Sequence, residues 1–428
     1  MAFSHQHGRL ISWTTQRLRT AAALLFVLAL GFAGVCPSAY GQTLKVLYSF
    51  SGQGPDGIQP IGTLVRDAAG NLYGLTYYGG DSNCSPETNG CGTVFKVDTT
   101  GNETVLHTFE NKSDGENPVS LIGTPAGNLA GATLYNTLFR VSAAGKFGSI
   151  DPFLTRSDGS EPVDLIHDAQ GNLYGTTTTG GDLNCNSPYK GAGCGNVFKL
   201  DNSGKLTVLY NFTGPPDGNA PNGVIRDAAG NFYGTTVIGG NTACHIYTEP
   251  GCGIVFKVDS TGHETVLYSF TGGADGANPT SFADAPLVRD AAGNLYGTTP
   301  LGGDLSCYAL GCGVVFKVDT TGKETVLHSF SGVDGSGPNA GLVRDRGGNF
   351  YGTTGGGGQF NHGTIFKLDS KGNLTVLHNF GSSASDASGP VGGLIRDAAG
   401  NLYGTTWYGG LYGSGTVFEL TGLSASSK

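Results

Sequence analysis

One four-residue phrase recurs seven times along this chain. Its copies are Asn71-Leu72-Tyr73-Gly74, Asn128-Leu129-Ala130-Gly131, Asn172-Leu173-Tyr174-Gly175, Asn231-Phe232-Tyr233-Gly234, Asn294-Leu295-Tyr296-Gly297, Asn349-Phe350-Tyr351-Gly352 and Asn401-Leu402-Tyr403-Gly404. Seven spaced copies mean one structural unit built seven times, and a unit this short cannot bury a core alone. Strand-like units repeated around an axis make a β-propeller. Composition agrees: glycine is abundant at 74 residues and charged residues make up only 13%. Every repeat also carries Val, Leu, Phe and Tyr, which suits short strands joined by tight turns rather than a disordered chain.

The fourth repeat shows the unit. Residues 222–226 read as a first strand, and Asp227 to Asn231 as a turn in which Asp accepts backbone hydrogen bonds and Gly takes a positive φ. Residues 232–236 read as a second strand, followed by a loop with Gly239, Gly240 and two cysteines. A third strand spans 254–259, a second turn ends at Gly262, and a fourth strand spans 264–270. The third strand recurs at 94–97, 138–141, 197–200, 315–318, 365–368 and 417–420. The fourth recurs at 105–109, 208–212, 326–330 and 376–380, with 149–153 as a degenerate copy. The seventh repeat stops at Leu420, after its third strand, while a spare fourth strand, Val46 to Phe50, lies near the start. The expected fold is therefore all-β: a seven-bladed β-propeller of four-stranded antiparallel blades, closed by the N-terminal strand 44–50 pairing with the C-terminal blade. Such closure leaves no seam between the termini. The ring is expected over 42–422, with blade cores near 58–109, 118–153, 162–212, 221–270, 279–330, 338–380 and 390–420 plus 44–50, and a short tail at 423–428. The second repeat departs most: Ala130 replaces Tyr, the cysteine loop is missing, and Gly123-Thr124-Pro125 stands for Val-Arg-Asp.

Residues 1–41 have a different character. Arg9, Arg17 and Arg19 precede an apolar run from Ala21 to Val35, and Ala39-Tyr40-Gly41 offers a small-x-small site. That is the layout of a secretory signal peptide, with Gln42 as the first mature residue and Cys36 lost with the leader. Removing those three arginines takes the net charge from −9 to −12. An acidic surface excludes nucleic acid and anionic membranes as partners. The mature protein is expected to be secreted, extracellular or periplasmic, and monomeric. The remaining cysteines fall in four close pairs, Cys84/Cys91, Cys185/Cys194, Cys244/Cys252 and Cys307/Cys312, each at the same place in its own repeat. In an exported chain these are expected to be disulfides. A zinc site would need four ligands together, whereas these pairs lie on separate repeats.

Loops from outer to inner strand share a propeller face with the second-to-third strand loops, and the irregular residues gather there. The pattern Asp-Gly-x-x-Pro begins at Asp56, Asp114, Asp158, Asp217, Asp275 and Asp334, and Asp386 starts a seventh copy with Ala387 for Gly. Seven aspartates on one face could ring a cation or polar ligand, with oxygens suited to Ca²⁺. The competing reading is turn chemistry, in which Asp-Gly makes the bend and Pro starts the inner strand. One copy per blade favours the turn. Asp81, Asp182 and Asp304, each three residues before a cysteine, carry the same two readings. Aromatic residues break the regularity more sharply: Tyr77-Tyr78 ends the second strand of blade 1 and Trp407-Tyr408 that of blade 7, where other blades carry smaller residues. Those blades are neighbours across the closure. The four rings could form one sugar-binding platform or could pack the closing seam. His107, His328 and His378 share a position with Tyr48, Tyr210 and Tyr268, which marks a tolerant packing site. His167 replaces a recurrent arginine, and His245 and His362 lie in loops. No histidine pair has metal spacing and no Gly-x-Ser-x-Gly motif occurs, so no catalytic residue and no cofactor is expected.

The recurrent unit Val-Leu-Tyr-Ser-Phe, Asp-Gly-x-x-Pro, Leu-Val-Arg-Asp-Ala-Ala-Gly-Asn-Leu-Tyr-Gly-Thr-Thr, then Gly-Thr-Val-Phe-Lys-Val-Asp resembles the Gloeo/Verruco (GloVer) tandem repeat over residues 44–420. The resemblance implies an exported bacterial repeat scaffold of a family without a settled activity. Many of its members carry a surface-anchoring tail, and residues 420–428 hold no apolar tail of that kind. The expected role is a binding propeller for an extracellular glycan or protein. Its alternatives are a propeller hydrolase or lyase using channel carboxylates, and a structural cell-surface scaffold.

Overall fold

A computed structural model describes residues 41–423 apart from 85–89, 111–113, 151, 189, 247–248, 280–285 and 384. The expected signal segment through residue 40 and the tail beyond 423 lie outside the described residues. The rest is a seven-bladed β-propeller. Each blade is an antiparallel sheet whose strands follow chain order from the axis outward. Blade 1, for example, comprises Ile58–Arg66, Leu72–Tyr78, Thr93–Val97 and Glu103–Thr108. Blade 7 closes the ring as expected: its inner strand comes in two pieces, Ala387–Pro390 and Ile395–Arg396, and its outer strand is Thr43–Ser49. That strand pairs with Thr416–Thr421 in the register Leu44↔Leu420 and Val46↔Phe418. Phe50, expected inside the strand, lies just past it, and its N–H reaches Gly415 O at 3.0 Å.

The repeated phrase has three structural jobs. Its Leu or Phe is buried in every blade. Its Gly lies under the Phe of the third strand, so a Cβ at Gly297 would stand 2.7 Å from Phe316 Cζ. Its Tyr joins two blades. The Tyr174 ring has Lys199 of its own blade 5.8 Å from its centroid and Arg226 of the next blade at 5.3 Å. Its hydroxyl donates to Asp168 Oδ2 at 3.0 Å. Cation–π contacts of this kind contribute about 0.5–1 kcal/mol each at exposed sites.

A second link joins neighbouring blades through phenylalanine. The Phe after each outer strand meets, edge to face, the third-strand Phe of the next blade. Phe212 and Phe256 stand 5.0 Å apart, Phe380 and Phe418 5.4 Å, and Phe50 and Phe95 across the closure 5.0 Å. The seam between the termini is thus packed like the other interfaces.

Two local expectations need correction. In blade 4 the inner strand starts at Gly218, not at Asn222 after the proline. Asn219 already pairs with Ile238, and a bulge between Pro221 and Val224 absorbs the missing proline N–H. The loop holding His245 is more ordered than expected: it contains a short ladder, His245–Ile246 with Glu249–Pro250.

Candidate functional site

All four expected disulfides are present, with Cα–Cα distances of 5.9, 6.1, 5.7 and 5.8 Å. Each ties together a second-to-third strand loop whose carbonyl meets the next blade, a contact that His362 and Ser414 make in blades 6 and 7 without a disulfide. The oxygens of Cys91, Cys194, Cys252 and Cys312 accept the N–H groups of Asn117, Ala220, Asn278 and Gly337, at 2.8, 3.1, 2.8 and 3.0 Å. The receiving residue is always the one before the Pro of Asp-Gly-x-x-Pro. It is held at positive φ: 52° at Asn117, 55° at Ala220 and 55° at Asn278. Non-glycine residues adopt that conformation at a cost, and such strain gathers where a surface is being shaped.

Among the described residues, no three of the seven aspartates come close enough to share an ion. Each carboxylate serves its own loop. Asp217 accepts the Tyr210 hydroxyl at 2.9 Å and the Thr213 N–H at 2.9 Å. Asp56 and Asp275 accept Tyr48 and Tyr268 likewise, and Asp114 and Asp334 bond His107 and His328 at 3.0 and 2.8 Å. Asp158 and Asp386 accept the backbone N–H groups of Thr155 and Ser382. Burial alone would raise the Asp334 carboxyl, but the hydrogen bonds from His328 and Ser331 outweigh it and hold it below the usual range. The Tyr/His exchange on the outer strands is therefore an exchange of partners for this Asp. At His378 the partnership lapses: burial lowers its pKa and its Nε2 is buried without a partner. The three acid- or thiol-bearing residues that do gather among the described residues are Cys84, Cys91 and Glu116, and both sulfurs are used in the disulfide.

What the fold does bring together is the mouth of the central channel. A cavity of about 750 Å³ takes wall residues from all seven blades. Residues beside the recurrent proline supply one tier: Ile61, Val119, Val163, Asn222, Asn278 and Asn339. The ends of the second strands supply another, including Tyr77, Tyr78, Leu134, Thr178, Val237, Leu301 and Trp407. Among the described residues, none on the wall carries a charge. Tyr77 and Tyr78 meet edge to face at 4.6 Å, and burial pushes the Tyr77 hydroxyl up to about 12. Trp407 stands 5.9 Å from Tyr408. Tyr408 is half exposed and outside the cavity wall, so the expected four-ring platform becomes three rings on a concave wall with a fourth beyond it. Three of the wall residues each hold a polar atom turned away from water and without a partner: Asn222 Nδ2, Asn278 Oδ1 and Trp407 Nε1. The asparagines escaped the sequence reading. For Asn222 and Asn339 the signal was their place just after the recurrent Pro, where blades 1, 2, 3 and 7 carry Ile61, Val119, Val163 and Val391; Asn278, just before its Pro, had no such signal.

A family model described as Gloeobacter/Verrucomicrobia repeat matches residues 36–189, 85–310 and 248–426. No curated protein sequence matches the chain. Among solved structures, the chain is similar to a catalytically inactive virginiamycin B lyase from Staphylococcus aureus with quinupristin, at 10% identity and a TM-score of 0.57, over 89% of this chain and 99% of that one. It is also similar to the extracellular domain assigned to a one-component system from B. thetaiotaomicron, at 14% identity and a TM-score of 0.53, over 91% of this chain and 43% of that one. The extracellular domain assigned to a hybrid two-component system of the same organism matches at 15% identity and a TM-score of 0.50, over 88% and 41%. At these identities the likeness is one of fold.

Proposed function

We propose that this chain, which belongs to the Gloeobacter/Verrucomicrobia repeat family, is an exported binding propeller whose ligand sits in the mouth of the central channel. The observation that carries this reading is the cavity whose described lining is uncharged and places Tyr77, Tyr78 and Trp407 beside Asn222, Asn278 and Asn339. Flat rings beside fixed amide and indole groups suit a sugar ring, which offers an apolar face and hydroxyl edges. An extracellular glycan is therefore the ligand class we favour over a protein surface. The disulfides fit an oxidising compartment, and two of the similar structures are extracellular domains.

The hydrolase or lyase alternative draws less support. Among the described residues no wall side chain is a carboxylate or a histidine, and burial holds the Tyr77 hydroxyl at about 12, far from a working acid or base near neutral pH. A glycan array probed with the wild type and with Trp407→Ala tests the proposal. The wild type is expected to bind a glycan subset that the variant binds at least about tenfold more weakly, the loss of one stacking ring. No binding by the wild type, or equal binding by both, would overturn it.

A further inference from the structure

On the face opposite the cavity, the interfaces between blades open into grooves. At blades 3 and 4 the groove holds Tyr174 with Lys199 and Arg226, bounded by Gly230 and the turn at Asp259 to Gly262. At blades 5 and 6 the same place holds Tyr296 with Lys317 and Arg344, in a cavity of about 500 Å³, and two more cations line it: Arg346 and Lys371.

Both additions depart from the repeat. Arg346 stands where blades 1, 3, 4, 5 and 7 carry Ala68, Ala169, Ala228, Ala291 and Ala398, and blade 2 carries Pro125. Lys371 stands where blades 1, 3, 4 and 5 carry Thr100, Ser203, Thr261 and Thr321, and blade 2 carries Ala144. Those hydroxyls cap the turn aspartate, as Thr261 Oγ1 does for Asp259 at 2.6 Å. Lys371 gives up that bond, and Asp369 keeps only the N–H groups of Lys371 and Asn373 and the Asn373 amide. Turn chemistry therefore does not account for Lys371. The two departures come from different turns, and the fold brings them into one groove.

The groove lining then carries four cations against one carboxylate, Asp369, with Asp319 near Lys317 and Asp290 on the Tyr296 hydroxyl just outside it, in a chain of net charge −9. None of the four is ion-paired to a carboxylate among the described residues. Like charges so gathered repel, and an oxyanion between them relieves the repulsion. Two guanidinium forks match phosphate and sulfate oxygens better than ammonium groups alone.

We propose that the groove between blades 5 and 6 is an anion-binding site for a phosphate or sulfate group, held by Arg344, Arg346, Lys317 and Lys371. It is separate from the channel mouth and stands or falls independently of the glycan reading. The test is calorimetric titration with two probes, inorganic pyrophosphate and a sulfated disaccharide, on the wild type and on the double variant Arg346→Ala/Lys371→Thr. The variant carries the residues of the other blades, so its melting midpoint without anion is expected to equal or exceed that of the wild type. At least one probe should bind the wild type about tenfold or more tightly than the variant, the effect of removing two charge-assisted contacts. Binding of pyrophosphate alone would assign the site to free phosphate compounds, and binding of the sulfated sugar alone to esters on a glycan. Equal binding by variant and wild type, or no binding of either probe by the wild type, would overturn the proposal.

Discussion

The repeated phrase can be tested at a single atom. A Cβ at Gly297 would lie 2.7 Å from Phe316 Cζ and 2.8 Å from Leu287 Cδ2, and both rows of side chains are buried. Overpacking of this kind costs about 1–3 kcal/mol. Gly297→Ala is therefore expected to lower the unfolding free energy by that amount, read as a lower denaturant midpoint at unchanged slope, and an unchanged midpoint would show that the Gly is not a packing residue. The phrase was legible in the sequence because it is copied, but its dependencies were not. Blade 2 has Ala130 for Tyr, Thr124 for the Asp that accepts the Tyr hydroxyl elsewhere, and His167 in blade 3 for the Arg that stacks on the ring elsewhere. In the sequence these are three separate oddities. In the fold they are one event: without the ring, neither its acceptor nor its cation has a function.

Outer strands show a similar coupling between neighbours. Where one outer strand carries Tyr48, Tyr210 or Tyr268, the next begins with Glu103, Glu264 or Glu324. Where it carries His107, His328 or His378, the next has Phe147, Leu374 or Leu44 in that place. Burial, then the nearby Asp56, Asp217 and Asp275, push these glutamates up to about 7 from 4.5. A carboxyl raised on folding binds more protons in the native state between those two values. Its contribution to stability is thus present at low pH and is lost as pH rises from about 4.5 through about 7. His107 and His378, lowered by burial, work in the opposite direction below 6.5. The difference between proteins therefore isolates the glutamates. The triple variant Glu103→Gln/Glu264→Gln/Glu324→Gln is expected to gain stability relative to the wild type as pH rises from 5 to 8, measured by urea midpoints at each pH. A constant difference would show that these carboxyls titrate as exposed groups. The sequence displayed the Tyr/His exchange and the aspartates as separate columns. Their pairing depends on the chain turning back over several residues from the outer strand, which a linear pattern does not reveal.

Ring closure was legible because a strand was missing at one end and spare at the other. The channel mouth was not, because each blade gives it only one to three residues and its character is their sum. Closure makes the strongest claim about the molecule as a whole. Residues 42–50 supply the outer strand of blade 7 and Phe50, which is fully buried against Phe95 of blade 1. Without them, Thr416–Thr421 becomes a free edge and one of the seven interfaces loses its aromatic contact. An uncovered edge strand pairs with other chains, and a ring opened at one interface no longer unfolds as a single cooperative unit. A chain starting at residue 51 is therefore expected to melt earlier and more broadly than one starting at 42, and to associate as its concentration rises. The loss should exceed the roughly 1–3 kcal/mol of a single core change. Hydrogen exchange separates closure from general weakening, because the amides of blades 7 and 1 should lose protection first and those of blades 3 to 5 last. Uniform loss of protection, or a midpoint equal to that of the longer chain, would mean that the ring is held by its other six interfaces and that the terminal strand only covers an edge.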